Sequence, residues 1–347
     1  MTGESKNIEL EDIDVDAPYF EDLAVGRQYR APGLTITSGH ALLHQAMFGD
    51  RQLLPLDHHL CAKVTGNATP LVHHCVVANI AIGQSTEATQ RVKGNLFYSN
   101  FVQFRPVWIG DTLRTTSKIV AMRANRAAKN RDATGMVVLD VNVINQDGGS
   151  IIRFYRCAMI ASQNAERAAK FEDSFDEFRQ DLRDDEIVSV SATDWDLVEL
   201  RSAFQGRSFA DLKEGQRFLI KARDGVSCAP ELVRATLNLA RVHTDANASH
   251  LGERLVYGGH TISMACAQVS RALPGIVAIS AWHSCIHTAP VLEGDMLRTE
   301  VSVVRKISLP GGSGICTLRA LTFASSVPGG GDQDHQVLDW TFSALIC

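Results

Sequence analysis

Apolar and polar positions along the chain fall into two series with the same plan. In the later series Leu232, Ala235, Thr236, Leu239 and Val242 recur at helical spacing behind Pro230, which the first turn of a helix accepts, so a helix is predicted to end near Thr244. A second helix is predicted from Gly258-Gly259 through Val269 to a stop at Pro274-Gly275. Small or apolar residues occupy nearly all of its faces, which predicts burial on every side. The runs Ile276 to Trp282, Met296 to Val304, Ile315 to Phe323 and Val337 to Ile346 are rich in β-branched and aromatic residues. Pro310-Gly311-Gly312 and Pro328 to Gly331 punctuate them as turns, and the whole predicts an antiparallel meander around the apolar helix.

The earlier series matches. Thr69-Pro70 is predicted to start a buried helix running through Ile80, followed by strands near 92–106, 111–122, 135–146 and 150–160. Three motifs recur in one order. Phe20-x-Asp22-Leu23-x-x-Gly26-x-x-Tyr29 returns as Phe209-x-Asp211-Leu212-x-x-Gly215-x-x-Phe218, and Pro106-Val107-x-x-Gly110-Asp111-x-Leu113-Arg114-Thr115 returns as Pro290-Val291-x-x-Gly294-Asp295-x-Leu297-Arg298-Thr299. The aromatic and apolar run Phe154 to Ile160 is echoed by Trp340 to Ile346. The expected layout is an acidic tail over 1–16, a first domain over 17–161, a linker over 162–200 and a second domain over 201–347. In the linker Phe171, Phe175, Phe178 and Leu182 keep helical spacing, which predicts an amphipathic helix docked on the domains rather than a free tether.

Length and charge narrow the function. A chain of 347 residues with 45% hydrophobic content fits two globular domains. Its formal net charge of −5 offers no basic footprint for a phosphate backbone or an anionic membrane, so neither nucleic acid nor membrane is an expected partner. There is no apolar run of spanning length, and Met1 to Asp16 lacks the charge and hydropathy pattern of a secretory signal, which predicts a cytoplasmic protein. The eight cysteines are scattered without a C-x-x-C pair, as reduced structural thiols would be. His58-His59 and His73-His74 invite a metal reading, but neighbouring side chains point apart and no partner follows at ligand spacing, so no metal is expected.

The chemically richest stretch is Asp245-Ala246-Asn247-Ala248-Ser249-His250 followed by Leu255-Val256-Tyr257-Gly258-Gly259-His260. An Asp and a His five residues apart on a loop can both turn inward and hold one water between them, one taking its proton while the other orients it or supplies a proton. The backbone N–H groups that open the next helix are unpaired and can stabilise a developing enolate oxygen. The two glycines allow a ligand close to the backbone. Asp245 alone reads equally as the cap of a polar loop. His243 and His260 could contact substrate, yet such residues are more often core or capping histidines, and Arg241 reads as a partner for a substrate anion or simply for Asp245.

Asp245-x-Asn247-x-x-His250 followed by Val256-Tyr257-Gly258-Gly259 resembles the hydratase motif of the MaoC-like (R)-specific enoyl-CoA hydratases. Ala240-Arg241-Val242-His243, the Leu255-to-Ser263 stretch and Val337-Leu338-Asp339 resemble, more narrowly, the mesaconyl-CoA hydratase (β-methylmalyl-CoA dehydratase) group. The resemblance implies an α+β double hot dog, each half a long buried helix wrapped by an antiparallel β-sheet. It implies Asp245 and His250 as the catalytic pair acting on water. Asn247 would shape the loop, Tyr257 and His260 would bind substrate, and a Gly258 or Gly259 N–H would hold the thioester carbonyl. It further implies a coenzyme A thioester as substrate with no cofactor, a short branched or dicarboxylic acyl chain such as mesaconyl or itaconyl, and a pseudo-dimer within one chain that is free to form a homodimer. Two positions depart from the family pattern: Ala248 stands where Pro usually follows the Asn, and Gly259 where Met is common. In the first half Asp50 has no His five residues later, so a single active site is expected, in the second half. The rival readings are a hot-dog thioesterase, which releases free CoA thiol, and a catalytically silent acyl-CoA-binding protein.

Overall fold

The computed structural model describes residues 13, 15–126, 132–180, 182–191, 194–325 and 334–347. The first half runs β1 (Gln28–Arg30), β2 (Leu34–Thr35), α1 (Ser38–Phe48), α2 (Leu53–Leu56), α3 (His58–Thr65), α4 (His74–Gln84), β3 (Val92–Gln103), β4 (Thr112–Ala124), β5 (Thr134–Ile144) and β6 (Ser150–Ala161). Three short helices follow: α5 (Ala165–Ala168), α6 (Asp184–Ser191) and α7 (Leu197–Ser202). The second half repeats the order: β7 (Arg217–Leu219), β8 (Asp224–Gly225), α8 (Ala229–Ala235), α9 (Gly258–Ala272), β9 (Ile276–His287), β10 (Met296–Ser308), β11 (Gly314–Ser325) and β12 (His335–Ile346). The Pro328 to Gly331 turn, and the 1–16 segment except residues 13, 15 and 16, lie outside the described residues.

One antiparallel sheet in the order β1-β4-β5-β6-β3-β9-β12-β11-β10-β7 wraps α4 and α9, the α+β double-hot-dog layout. The halves join where β3 pairs with β9, with Phe101 opposite Trp282. Their rings stack at 4.1 Å, the Trp282 indole meets Trp340 edge-on at 5.3 Å, and Trp340 stacks on Phe342 at 3.9 Å. This aromatic row crosses the junction, each pair adding about 0.5–1.5 kcal/mol beyond area burial, so a pseudo-dimer is built into one chain. Only three-residue strands, β1 and β7, end the sheet, which limits edge pairing with other chains. Among the described residues no helix is long and apolar enough to cross a membrane.

Local chemistry moves several boundaries. The first buried helix starts at His74 rather than Pro70 because Leu71 and Val72 are extended, with the Val72 N–H donated to Val107 O at 2.8 Å, and His73 Nδ1 caps α4 by accepting the Cys75 N–H at 3.0 Å. In the second half the expected helix to Thr244 stops at Ala235. Leu237 turns into the left-handed region at φ 55°, and Asn238 Oδ1 takes the Ala240 N–H at 2.9 Å, leaving two short 3-10 turns at Arg241–His243 and Ala246–Ala248. Arg241 pairs with Asp16, not with Asp245. Between the halves the phenylalanine periodicity does not make one helix: Asp173 N and Ala124 N exchange bonds with Met122 O and Phe171 O, holding 171–173 extended along β4. Phe175 and Phe178 nevertheless bury on the outer sheet face against Phe97, Ala121, Val138 and Cys157.

The two central helices meet closely. Asn79 Nδ2 donates to Ser263 Oγ at 2.9 Å, and the Tyr257 hydroxyl donates to Asn79 O at 3.0 Å. A Cβ on Gly83 would collide with the carbonyl and side chain of Thr236, which closes α8. Gly83→Ala is therefore expected to destabilise by about 1–3 kcal/mol, although the same change in an open helix stabilises by about 0.5–1 kcal/mol. A lower urea midpoint at unchanged m-value would be the readout.

Candidate active site

The pseudo-symmetry shows why only one half opens. β3 and β9 carry the same register at an offset of 184 residues, from Val92↔Ile160 and Ile276↔Ile346 onward. In the first half the helix opens on His74, whose ring takes the Trp282 indole N–H on Nε2 at 2.9 Å and bonds Gln103 Oε1 through Nδ1 at 2.7 Å. That end is closed. The positions 184 residues on are Gly258 and His287. With no side chain on Gly258, the first turn of α9 lies bare beside the His287 ring: a Cβ there would stand 2.5 Å from His287 Nε2. This nitrogen is buried and has no hydrogen-bond partner among the described residues.

The space so opened is a cavity of about 290 Å³. Asn95, Tyr98 and Arg156 of the first half line it together with Val242, His243, His250, Tyr257, Gly258, Thr261 and His287 of the second. His243 donates from Nδ1 to Leu255 O at 2.8 Å, which leaves Nε2 with the lone pair. Burial pushes the pKa of His243 down to about 4, and burial with neighbouring His243 does the same for His287. Both rings are neutral at pH 7, so each can polarise a carbonyl or relay a proton without carrying charge. Burial also raises the Tyr98 and Tyr257 phenols above their ordinary range, which keeps them protonated donors.

The residues expected from sequence are only partly gathered here. His250, Tyr257 and Gly258 line the cavity, His250 at its mouth, where it also borders a wider groove of about 1030 Å³ that includes Lys93, Arg123 and Arg126. Asp245 and Asn247 are exposed and off the lining: Asp245 Oδ1 accepts from Asn247 N at 2.9 Å and Asn247 Nδ2 at 3.2 Å, capping the 3-10 turn. Gly259 serves packing, since a Cβ on it would strike Asn79 Oδ1. His260 turns away, bonding Ser227 O through Nε2 at 2.8 Å and meeting the edge of Phe48. Sequence reasoning missed Arg156 and His287. Each is a polar residue inside an apolar strand run, a visible signal, but nothing in the sequence places it on the inner face beside α9.

A second polar cluster, His44, Asp50 and His73, lies fully buried in the first half, its candidate ligand atoms within 4.8 Å of one another. Burial opposes ionisation of Asp50, but the His73 ring beside it at 3.2 Å outweighs this and holds the carboxyl below its usual range. Because His73 Nδ1 already accepts the Cys75 N–H, the ring proton sits on Nε2, 3.2 Å from Asp50 Oδ2. A ring with Nδ1 so engaged has no lone pair left on Nε2 for a metal.

No family model matches the chain. A solved protein of Mycobacterium tuberculosis, described as conserved and hypothetical with a double hot-dog fold, is 41% identical, superposes with a TM-score of 0.88 and covers 96% of this chain and 99% of its own. The chain belongs to the same double-hot-dog family as that protein. Two further relatives with named activities are similar over most of their length. A β-methylmalyl-CoA dehydratase of Chloroflexus aurantiacus is 27% identical across 88% of both chains, and a mesaconyl-CoA hydratase of Cereibacter sphaeroides is 26% identical across 83% of both.

The neutral histidines give a stability signature with a defined sign. Their folded pKa values lie below the unfolded one, so the unfolded chain takes up more protons between pH 4 and 6.5. Their contribution is full above about pH 6.5 and is lost as pH falls toward 4. His243→Gln and His287→Gln are each expected to remove on the order of 2–3 kcal/mol from that pH-dependent change, read from urea unfolding at pH 4.5 and 7.

Proposed function

We propose that the protein catalyses the reversible hydration of a 2-enoyl-CoA thioester, a carbon–oxygen lyase reaction. The observation that carries it is the bare first turn of α9 in a cavity with neutral acid–base groups around it. A thioester carbonyl against Gly258 N–H meets the positive end of a 15-residue helix, which favours the enolate formed when water adds to C3. The added oxygen ends as the C3 hydroxyl, one proton of water goes to the base, and a proton is delivered to C2. No bond change calls for a metal or redox cofactor, and none is proposed. The names of the two characterised relatives support the same reaction and favour a short branched acyl chain.

We assign His250 and Asp245 as the pair that handles the water. His250 stands where the inner cavity meets the groove holding Lys93, Arg123 and Arg126, cations suited to the phosphates of coenzyme A. Asp245 would reach the cavity by a turn of its loop, which is inexpensive because among the described residues its carboxylate bonds only to the neighbouring Asn247. Asn247 would follow as the hinge of that turn, and Tyr257 would shape the wall beside the acyl chain. The eight free cysteines, seven of them buried, suit a reducing cytoplasm.

Hydration is read as loss of the conjugated double bond of crotonyl-, itaconyl- and mesaconyl-CoA, with free thiol followed in parallel. Asp245→Asn and His250→Gln are each expected to reduce kcat by about 10²–10⁴-fold without thiol release. Thiol release by the wild type would identify a thioesterase instead, and saturable binding without turnover a silent acyl-CoA-binding protein.

A further inference from the structure

Arg156 is a buried cation without an anion. Its side chain is 3% exposed; Nε donates to Asn95 Oδ1 at 2.9 Å, and Nη1 donates to Ser85 Oγ at 2.9 Å and Ser85 O at 3.4 Å. No carboxylate pairs with it among the described residues, and Nη2 has no hydrogen bond among them. Ser85 closes α4, so the carbonyl end of that helix offsets part of the charge, about half at most. A guanidinium left otherwise unpaired in a low-dielectric interior costs several kcal/mol.

The fold itself does not require this charge. Tyr98 opposes Arg156 in the β3–β6 register, and at the matching place in the β9–β12 register Trp282 opposes Phe342, which is fully buried and apolar. The second half thus fills the equivalent position with a ring. Arg156 also sits on the wall of the cavity, no Asp or Glu lines that cavity among the described residues, and Lys93 adds a second cation at its mouth. A site for a neutral enoyl chain has no use for this arrangement.

We propose that Arg156 is a specificity residue that receives a carboxylate carried by the acyl chain, so that the substrate is a 2-enoyl-CoA with a second, distal carboxyl group. The proposal rests on the hydratase reading for its reaction and on the guanidinium for its substrate class. Nη2, with both of its hydrogens unengaged among the described residues, presents planar donors to a carboxylate, while Asn95 and Ser85 hold Nε and Nη1 in place.

The test compares mesaconyl-CoA with the methyl ester of its distal carboxyl, in wild type, Arg156→Met and Arg156→Lys, each checked for folding by circular dichroism and thermal melting. The wild type is expected to favour the free acid in kcat/KM by about 10- to 100-fold, mainly through KM. Arg156→Met is expected to bring that ratio near one, and Arg156→Lys to retain part of it. A wild-type ratio near one, or equal losses on both thioesters in Arg156→Met, would overturn the proposal. Calorimetric binding of methylsuccinyl-CoA and its methyl ester to the wild type needs neither turnover nor a variant. A preference for the acid there with no hydration of any thioester would leave the anion site standing and remove the hydratase reading; no preference would remove the anion site.

Discussion

Everything in this fold is positioned by the contact of α4 with α9. The Gly259 backbone rests against Asn79, the Tyr257 hydroxyl donates to the carbonyl of that same Asn79, and Asn79 Nδ2 reaches Ser263. Two hydrogen bonds and one close backbone approach in a buried interior leave little freedom of sliding, because each slip would orphan a buried polar group at a cost of about 1–3 kcal/mol. The helix contact in turn fixes the strands behind it. β3 and β9 can pair only if the helices they wrap lie side by side, and the aromatic row through Phe101 and Trp282 follows from that pairing.

Near-symmetry then explains the division of labour. The same two positions are His74 with Gln103 in one half and Gly258 with His287 in the other. A bonded polar pair seals the first helix start; a glycine and an unpaired imidazole leave the second open. Likewise Phe342 packs where Arg156 stands in the sister half. The first half keeps Asp50 and His73 as an internal buried pair 3.2 Å apart, while contributing Asn95, Tyr98 and Arg156 to its neighbour's cavity. Neither half alone encloses the site.

The electrostatics of the cavity are those of a site that keeps charge in reserve. His243 and His287 are neutral through burial, Tyr98 and Tyr257 stay protonated, and the fixed charge is positive: the end of a helix and a guanidinium. In the proposed reaction, negative charge developing on the thioester would meet groups already oriented, with little reorganisation needed. In the proposed reaction the water is handled at the mouth, where His250 borders the wider groove.

The sequence by itself determined the plan. Strand runs, two buried apolar helices and repeated Gly-Asp turns are local signals, since period, propensity and turn chemistry act within a few residues, and the repeat motifs carried both halves at once. It also pointed to His250, Tyr257 and Gly258, which line the cavity, because that stretch is contiguous. What only the tertiary structure decided was which of those residues meet. Gly258 and Gly259 are adjacent in the chain, yet one faces a cavity and the other a neighbouring helix, because successive helical positions point about 100° apart. His260 went to Ser227 and Phe48, and Asp245 to a surface turn. Arg156 and His287 entered the site from strands 131 residues apart, brought together by a sheet that crosses between the halves, and no local pattern records a contact of that range.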